Sequence, residues 1–105
     1  MTFSEKVVKI AMSIPKGRVT TYGRIARAAG AGPMASQSIT TILGKAYMEG
    51  KKNIPFHRIV YADGSVWLDN DKYKKLRLKL YKEEGIELDN KNRIKNFKSI
   101  LIEFK

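Results

Sequence analysis

Two short helical patterns separated by glycines limit what this chain can fold into more than any other feature. Residues 22–29 predict a helix that ends at Gly30, and residues 34–48 predict a second one, with Gly32 and Pro33 between them. The apolar members of the second segment recur at helical intervals: Ile39, Ile42, Leu43 and Ala46. Two short helices joined by a glycine-containing turn are typical of a helix-turn-helix. By spacing alone, an ordinary amphipathic helix pair remains an open alternative.

The second helix presents a polar face that is short of acids. Its predicted outward residues are Gln37, Ser38, Thr40, Thr41 and Lys45. Amide and hydroxyl side chains of this kind suit a helix that enters a groove of a nucleic acid. We therefore expect this face to be the one that meets a nucleic acid if the pair is a helix-turn-helix.

Downstream of the pair, two β-type segments predict a hairpin. Residues 54–61 and 65–68 lie on either side of Ala62-Asp63-Gly64, and Asp-Gly is a favoured hairpin turn. A helix-turn-helix followed by a hairpin is a winged helix. The predicted fold is therefore mostly α with a small β-hairpin, a winged helix-turn-helix with a C-terminal extension.

Helices are predicted on both sides of this unit. Thr2 and Glu5 have the spacing of a capping box at the start of a helix over residues 3–13. Residues 70–84 predict a basic helix. Its inward-facing residues are expected to be Tyr73, Leu76 and Leu80.

The C-terminal segment is less strongly patterned. Its apolar residues over 90–105 favour a helix, and a strand over 100–102 is the alternative. With no repeat, linker or low-complexity tract in the sequence, we expect one domain over residues 1–88 and an extension over residues 89–105 packed on it.

The charge balance points to a polyanionic partner. The chain has 105 residues and carries 21 Lys and Arg against 10 Asp and Glu, a net charge of +11. This excess favours nucleic acid first and an acidic membrane second. A lysine-rich surface without such a partner is the alternative. The candidates for phosphate contact around the helix pair are Arg18, Arg24, Arg27, Lys45, Lys51 and Lys52.

The composition also excludes several kinds of chemistry. The chain has no Cys and one His, which rules out disulfides, thiolate nucleophiles, cysteine zinc sites and multi-histidine metal sites. We expect no metal and no cofactor. No apolar run approaches the ~18 residues of a membrane span, and no signal-peptide pattern opens the sequence. We therefore expect a monomer of the cytoplasm or nucleoid with no membrane partner.

Two motifs carry a resemblance to a known family. Residues 14–26, IPKGRVTTYGRIA, closely resemble the start of the helix-turn-helix in O6-alkylguanine-DNA alkyltransferases. Residues 54–60, IPFHRIV, resemble the active-site strand of that family, where the pattern is I-P-C-H-R-V. Residues 62–64 and 83–85 match in order and approximate spacing, so that the resemblance covers residues 3–88.

One departure from the family pattern bears on activity. Phe56 stands at the position of the alkyl-accepting cysteine, and the chain holds no other Cys. A Phe ring has no lone pair or ionisable group with which to accept an alkyl group. The sequence thus resembles the alkyltransferase-like branch, which binds alkylated guanine in DNA without transfer and flags it for other repair machinery, notably nucleotide excision repair.

The resemblance implies roles around the helix pair. Tyr22 matches the tyrosine that pushes on the 3′ phosphate of the target nucleotide and helps to rotate the base out of the stack. Gln37 stands where the family has an arginine that fills the vacated space, and Gln lacks the cation that strengthens stacking. A packing tyrosine and a plain surface glutamine are the alternatives. The neighbours expected to face DNA are Thr21, Arg24, Ser38, Thr40, Thr41 and Lys45.

The resemblance also implies a pocket for the flipped base. Phe56 would form its wall, with an occluding core residue as the alternative reading. The other residues expected to line the pocket are Pro55, Ile59, Trp67 and Leu68. For Trp67, a place in the core is the alternative. His57 and Glu84 match the pair that activates the thiolate in the family. Without a thiol to activate, we expect them to be a structural hydrogen-bonded pair.

The function implied is recognition of double-stranded DNA that carries O6-alkylguanine or a related damaged base. Two other functions stay open from the sequence. A glycosylase or lyase acting on a flipped base would need an amine such as Lys45, or an acid such as Asp69, at the pocket. A transcription-factor-like winged helix would prefer an undamaged sequence, but the outer face of the second helix lacks the Arg or Asn typical of direct base readout.

Overall fold

The computed structural model describes residues 1–32, 35–68 and 71–104. In chain order the elements are α1 (Phe3–Met12), β1 (Thr20–Thr21), α2 (Tyr22–Ala28), α3 (Ser36–Met48), a 3-10 turn (Phe56–Arg58), β2 (Ile59–Val60), α4 (Asp71–Glu83) and α5 (Phe97–Ile100). The mostly α character of the predicted fold is confirmed. No helix in these ranges is long and apolar enough to cross a membrane.

α1 begins at the predicted capping box. The Glu5 N–H donates to the Thr2 hydroxyl at 3.2 Å, and the Thr2 N–H donates to the Glu5 carboxylate at 3.3 Å. These bonds satisfy amides that the first helical turn leaves without a partner. One face of α1 then buries Val7 and Ala11 against α2 and α3.

α2 and α3 form the predicted helix pair. The Arg24 N–H donates to the Thr21 hydroxyl at 3.3 Å, so Thr21 caps α2. α2 ends at Ala28, and Gly30 lies just beyond its end. The φ of 94° at Gly30 lets the following Ala31 N–H turn back to the Ala26 carbonyl at 3.0 Å. The predicted start of α3 at Met34 lies outside the described residues.

The only strand pair described within these ranges is parallel. Thr20 pairs with Ile59 and Thr21 with Val60, which brings the segment before α2 beside the segment after the 3-10 turn. Successive residues of β2 point to opposite sides. Accordingly, Ile59 packs in a cluster with α1, α2 and α3, while Val60 packs in a second cluster with α4 and the C-terminal segment.

The predicted hairpin forms as a tight turn instead of a two-stranded ladder. The Gly64 N–H donates to the Tyr61 carbonyl at 2.9 Å, and the Tyr61 N–H donates to the Ser65 carbonyl at 3.0 Å. Beyond the turn, Ser65 bridges Arg93, and the Val66 N–H donates to the carbonyl of Asn92. The second half of the expected hairpin therefore pairs with the C-terminal segment, which provides hydrogen-bond partners for its backbone groups.

The C-terminal segment combines the two structures expected for it. α5 covers only Phe97–Ile100, and the chain then runs beside β1. The Val19 N–H donates to the Ile100 carbonyl at 3.1 Å, and the Ile102 N–H donates to the Val19 carbonyl at 2.8 Å. The Thr20 hydroxyl also donates to the Ile102 carbonyl at 3.2 Å. These bonds hold the segment against the start of the helix pair.

α4 differs from the sequence prediction in its buried face. Tyr73 and Leu76, expected to point inward, are 47% and 51% exposed, whereas Tyr81 is 1% exposed. Leu80 is half-buried. Tyr73, Leu76 and Leu80 do share one face of α4. This face borders an open cavity beside the helix pair instead of the core, which explains why the side chains are more exposed than predicted.

Candidate nucleic-acid interface

A cavity of about 880 Å³ lies between the helix pair, the 3-10 turn and α4. This volume is in the range of ligand pockets, roughly 300–1,000 Å³. Its aromatic lining residues are Tyr22, Tyr47, Phe56, Tyr61, Trp67 and Tyr73. Its cationic lining residues are Lys52, Arg58 and Arg77, and no carboxylate lines it among the residues that the structure describes. The cavity is thus suited to a flat, aromatic and electron-rich or anionic group.

Phe56 forms one wall of this cavity. Its ring lies edge-on to that of Tyr47, with centroids 5.9 Å apart and planes at 69°. The 3-10 turn holds Phe56 in place, because its N–H donates to the Ile54 carbonyl at 2.9 Å and the following Arg58 N–H donates to the Pro55 carbonyl at 3.0 Å. Pro55 lines the cavity as expected. Phe56 is half-buried and belongs to the wall of an open space, so it does not close the cavity.

Tyr22 lies at the start of α2 and reaches α3. Its ring packs against Tyr61 with centroids 5.8 Å apart. Burial raises the pKa of the Tyr22 hydroxyl, with Tyr61 adding to the rise and with Arg77 and a hydrogen bond to Thr40 opposing it. The hydroxyl is therefore neutral at physiological pH and links the two helices of the pair.

Trp67 and α4 form another part of the cavity wall. The guanidinium carbon of Arg77 lies 5.2 Å from the centre of the Trp67 ring, a distance typical of a cation–π contact. Tyr73, Leu76 and Leu80 continue this wall along α4. The side chain of Trp67 therefore faces the cavity, in agreement with its predicted place in the pocket.

Glu84 accepts hydrogen bonds from three residues in two other parts of the chain. His57 Nε2 lies 2.5 Å from Glu84 Oε2, the Gly17 N–H donates to Oε1 at 2.8 Å, and Arg58 donates to both oxygens through Nε and Nη2 at 3.1 Å. Arg58 Nη1 also donates to the Ile14 carbonyl at 2.8 Å. The network joins the loop before β1, the 3-10 turn and the end of α4, and it fixes the backbone that carries Phe56.

The protonation states in this network follow from burial and hydrogen bonding. Burial would raise the pKa of Glu84, but the bonds from Arg58, Gly17 and His57 outweigh it and lower the pKa to about 2. Burial lowers the pKa of His57 in spite of the nearby Glu84 carboxylate. A neutral His57 therefore donates its Nε2–H to an ionised Glu84, and Arg58 balances the charge. The structure brings His57 and Glu84 together as the expected pair.

The exposed face of α3 is divided between two depressions. Gln37 and Thr40 line the cavity. Thr41 and Lys45 line a separate groove between α1 and α3, and Ser38 is exposed. All five residues that were predicted to point outward are exposed, but only two of them adjoin Phe56 through this cavity.

Four residues predicted for the site lie elsewhere. Ile59 and Leu68, expected in the pocket, are buried in the two core clusters because β2 and the segment before α4 turn these side chains inward. Thr21, expected to face DNA, is buried and caps α2. Arg24 pairs with Glu103, with Nη2–Oε1 at 2.6 Å. Asp69 lies outside the described residues.

Several residues that were not predicted for the site also line the cavity, notably Tyr47, Tyr61 and Arg77. A signal for one of them was present, because Gln37, Thr40, Gly44 and Tyr47 follow one another at helical intervals along α3 and share a face. Tyr61 lies just before a turn and Arg77 lies within a run of lysines, so that no local pattern singles out either residue.

The comparisons with known proteins agree with this geometry. A family described as 6-O-methylguanine DNA methyltransferase, DNA binding domain, matches residues 2–86. The chain belongs to this family. Within it, the chain is 33% identical over 93 residues to the DNA base-flipping protein of Escherichia coli, covering 89% of this chain and 69% of that one. It is 32% identical over 89 residues to alkyltransferase-like protein 1 of Schizosaccharomyces pombe, covering 82% and 78% of the two chains.

A solved structure of this family has the same fold. The crystal structure of S. pombe Atl1 in complex with damaged DNA containing O6-carboxymethylguanine matches with a TM-score of 0.75. The match covers 97% of this chain and 95% of that chain at 24% identity. The resemblance that the two sequence motifs indicated is confirmed, as is the predicted fold class. The chain itself contains no Cys.

Proposed function

We propose that this protein recognises damaged double-stranded DNA by taking an O6-alkylguanine or a related base into the cavity beside Phe56, and that it does so without alkyl transfer. The observation that carries the proposal is the position of Phe56. It occupies the motif position of the acceptor cysteine and forms a wall of an open cavity of about 880 Å³ next to α3.

The chemistry of the cavity suits binding and not transfer. An aromatic ring offers a stacking or apolar surface to a flipped base and its alkyl group, and base–aromatic stacking stabilises such complexes by about 1–3 kcal/mol per base. The ring cannot form a covalent bond to the alkyl carbon. The lesion would therefore stay in the DNA, and other proteins would have to remove it.

Rotation of the base out of the duplex needs residues at the helix pair. Unstacking a base costs a few kcal/mol, which contacts to the phosphates and the cavity must offset. We assign to Tyr22 the contact with the phosphate of the target nucleotide. We assign to Gln37 the filling of the space that the flipped base leaves in the duplex, since both residues line the cavity at its α2–α3 side. The exposed Ser38, Thr41 and Lys45 are assigned to the adjoining groove of the DNA.

We further propose that the protein acts as a monomer in the cytoplasm or nucleoid and that nucleotide excision repair proteins take over the marked site. The glycosylase or lyase alternative gains no support from Lys45, because this residue lines the groove between α1 and α3.

The test compares a duplex that contains one O6-methylguanine with the unmodified duplex at the same salt concentration, because phosphate contacts alone depend steeply on salt. We expect about tenfold or greater preference for the lesion, or about 1.4 kcal/mol. Mass spectrometry after incubation should find the methyl group still on the DNA and an unmodified protein. Equal affinities would refute lesion recognition, and loss of the base or strand cleavage would favour the enzyme alternative.

A further inference from the structure

We propose that Lys52 makes the cavity select guanine adducts that carry an anionic group, such as a carboxylate, over neutral adducts of the same size. This inference rests on the proposed function, because it names the kind of adduct that the Phe56 cavity prefers. It assigns to Lys52 a contact with the adduct itself and not with the DNA phosphates.

Lys52 is held beside the wall where the alkyl group of a flipped guanine would lie. Its Nζ lies 4.0 Å from the centre of the Tyr47 ring, and the Tyr47 ring in turn contacts Phe56. The three side chains therefore form one continuous cluster at the cavity. A cation–π contact restrains a side chain that would otherwise be free to move in solvent.

The other two cations of the cavity are held by groups other than the Phe56–Tyr47 pair. Arg58 donates to both oxygens of Glu84, so its charge is balanced within the protein. Arg77 lies over the Trp67 ring, with its guanidinium carbon 5.2 Å from the ring centre. Lys52 forms no ion pair within the described parts of the chain, and it contacts the Tyr47 ring that packs against Phe56.

The charges of the lining determine whether the cavity prefers an anionic or a neutral adduct. A carboxylate moved from water into an aromatic cavity without a cation loses hydration and binds more weakly than a neutral group of equal size. No described residue brings a carboxylate to the lining, and the nearby Glu84 carboxylate is balanced by Arg58. An anionic adduct therefore gains the Lys52 ammonium as a partner without an unbalanced negative charge beside it. A preference for the anionic adduct is therefore a direct sign of this contact.

The experiment uses two duplexes that differ in one group. One contains O6-carboxymethylguanine, and the other contains O6-carbamoylmethylguanine, in which a neutral amide of the same shape replaces the carboxylate. The unmodified duplex serves as reference. We expect the full-length protein to bind the carboxymethyl duplex about three- to fivefold more tightly than the carbamoylmethyl duplex, as for a partly exposed ion pair. Lys52→Gln should reduce this ratio to about one.

Lys51 provides a matched control. It is the neighbouring lysine of the same turn, but it lines the groove between α1 and α3. Lys51→Gln should keep the wild-type ratio of affinities for the carboxymethyl and carbamoylmethyl duplexes, although Lys51→Gln and Lys52→Gln each remove one positive charge. Lys52→Arg, which preserves the charge, should retain a preference for the carboxymethyl duplex.

The outcomes separate this inference from the proposed function. If Lys52→Gln weakens binding to all three duplexes equally and leaves the ratio intact, Lys52 contacts phosphate and the inference is wrong. It is also wrong if the wild type binds both adducts equally but more tightly than unmodified guanine, a result that would leave the proposed function standing. No preference for either adduct over unmodified guanine would overturn both.

Discussion

The ring of Phe56 stands edge-on to the ring of Tyr47, with 5.9 Å between the two centroids, at the wall of the cavity. Phe56 comes from the 3-10 turn before β2 and Tyr47 from the last turn of α3. One aromatic contact thus joins α3, the helix that is expected to face DNA, to the turn in which Phe56 stands at the position of the acceptor cysteine. A base that stacks on Phe56 would therefore lie beside a residue in contact with α3.

Replacing Phe56 by Ala should remove most of the lesion preference. The stacking surface would be lost, and the ratio of affinities for O6-methylguanine and unmodified duplexes should fall by about tenfold, in keeping with aromatic stacking of about 1–3 kcal/mol. Fluorescence anisotropy at fixed salt measures both affinities. Phe56→Trp, which keeps an aromatic wall, should preserve the preference. An undiminished ratio in the Ala variant would exclude Phe56 as the binding surface.

Replacing Gln37 by Arg should strengthen lesion binding. Gln37 lines the cavity from α3, and a guanidinium at this position would add a stacking cation in the space left by the flipped base. The affinity for the O6-methylguanine duplex should rise about threefold more than that for the unmodified duplex. Ser38→Arg adds the same charge at the next exposed position and should raise both affinities equally. Equal effects of the two variants would show that only net charge matters.

Replacing Glu84 by Gln should destabilise the fold. The Glu84 side chain is only 6% exposed and serves Arg58, which is 14% exposed, so its loss leaves a nearly buried guanidinium without its counter-ion. The free energy of unfolding, from urea titration at pH 7, should fall by about 3 kcal/mol. Glu83→Gln changes the exposed neighbour, whose nearest cation is Lys79 at 3.9 Å, and should alter it by less than about 0.5 kcal/mol.

The same network predicts how stability depends on pH. The pKa of Glu84 is about 2 in the folded protein against an ordinary 4.5. Its contribution is therefore complete above pH 4.5 and is lost as the pH falls toward 2, by about 3 kcal/mol. The folded pKa of His57 also lies below its ordinary 6.5, so stability begins to decline below pH 6.5. Glu84→Gln should remove about 3 kcal/mol of the loss between pH 4.5 and 2, while Asp63, Asp89 and Glu103, whose pKa values are also lowered by hydrogen bonds, still contribute to it. An unchanged slope would contradict this assignment.

Replacing Gly64 by Ala should be more harmful than replacing Gly30 by Ala. Both glycines have positive φ, 84° and 94°, but a Cβ at Gly64 would lie 2.9 Å from Phe97 Cγ, whereas nothing lies within 4 Å at Gly30. The backbone strain should cost about 1 kcal/mol at each site, and the clash should add about 1–3 kcal/mol at Gly64. Thermal unfolding of the two variants gives the comparison. Equal losses would mean that Phe97 can move aside freely.

Local patterns in the sequence predict the helices of this fold well, because caps and apolar periodicity act within one element. Thr2 and Glu5 cap α1, and the glycine at position 30 lies just beyond the end of α2. The strand pairing is not local. β1 and β2 are 39 residues apart at their paired positions Thr20 and Ile59, and no turn signal connects them. The local Asp-Gly signal predicted a hairpin instead, and the backbone forms only the turn.

The candidate site was predictable where a motif or a helical face carried it. The motif over residues 54–60 predicts the place of Pro55 and Phe56 in the cavity. The helical pattern of α3 predicts the exposed face that carries Gln37 and Thr40. The burial of Ile59 and Leu68 depends on packing between distant segments, which the local pattern of each segment does not contain. The pairing of Arg24 with Glu103 likewise depends on where the C-terminal segment lies.

The fluorescence of Trp67 offers the most direct test that a damaged base enters the cavity. Trp67 is the one tryptophan of the chain and lines the same cavity as Phe56, so an incoming base should alter its emission. Titration with the O6-methylguanine duplex should give a saturable change, and the unmodified duplex at the same salt and at saturation should give little. An equal change with both duplexes, or none with either while binding is complete, would contradict base entry at Phe56.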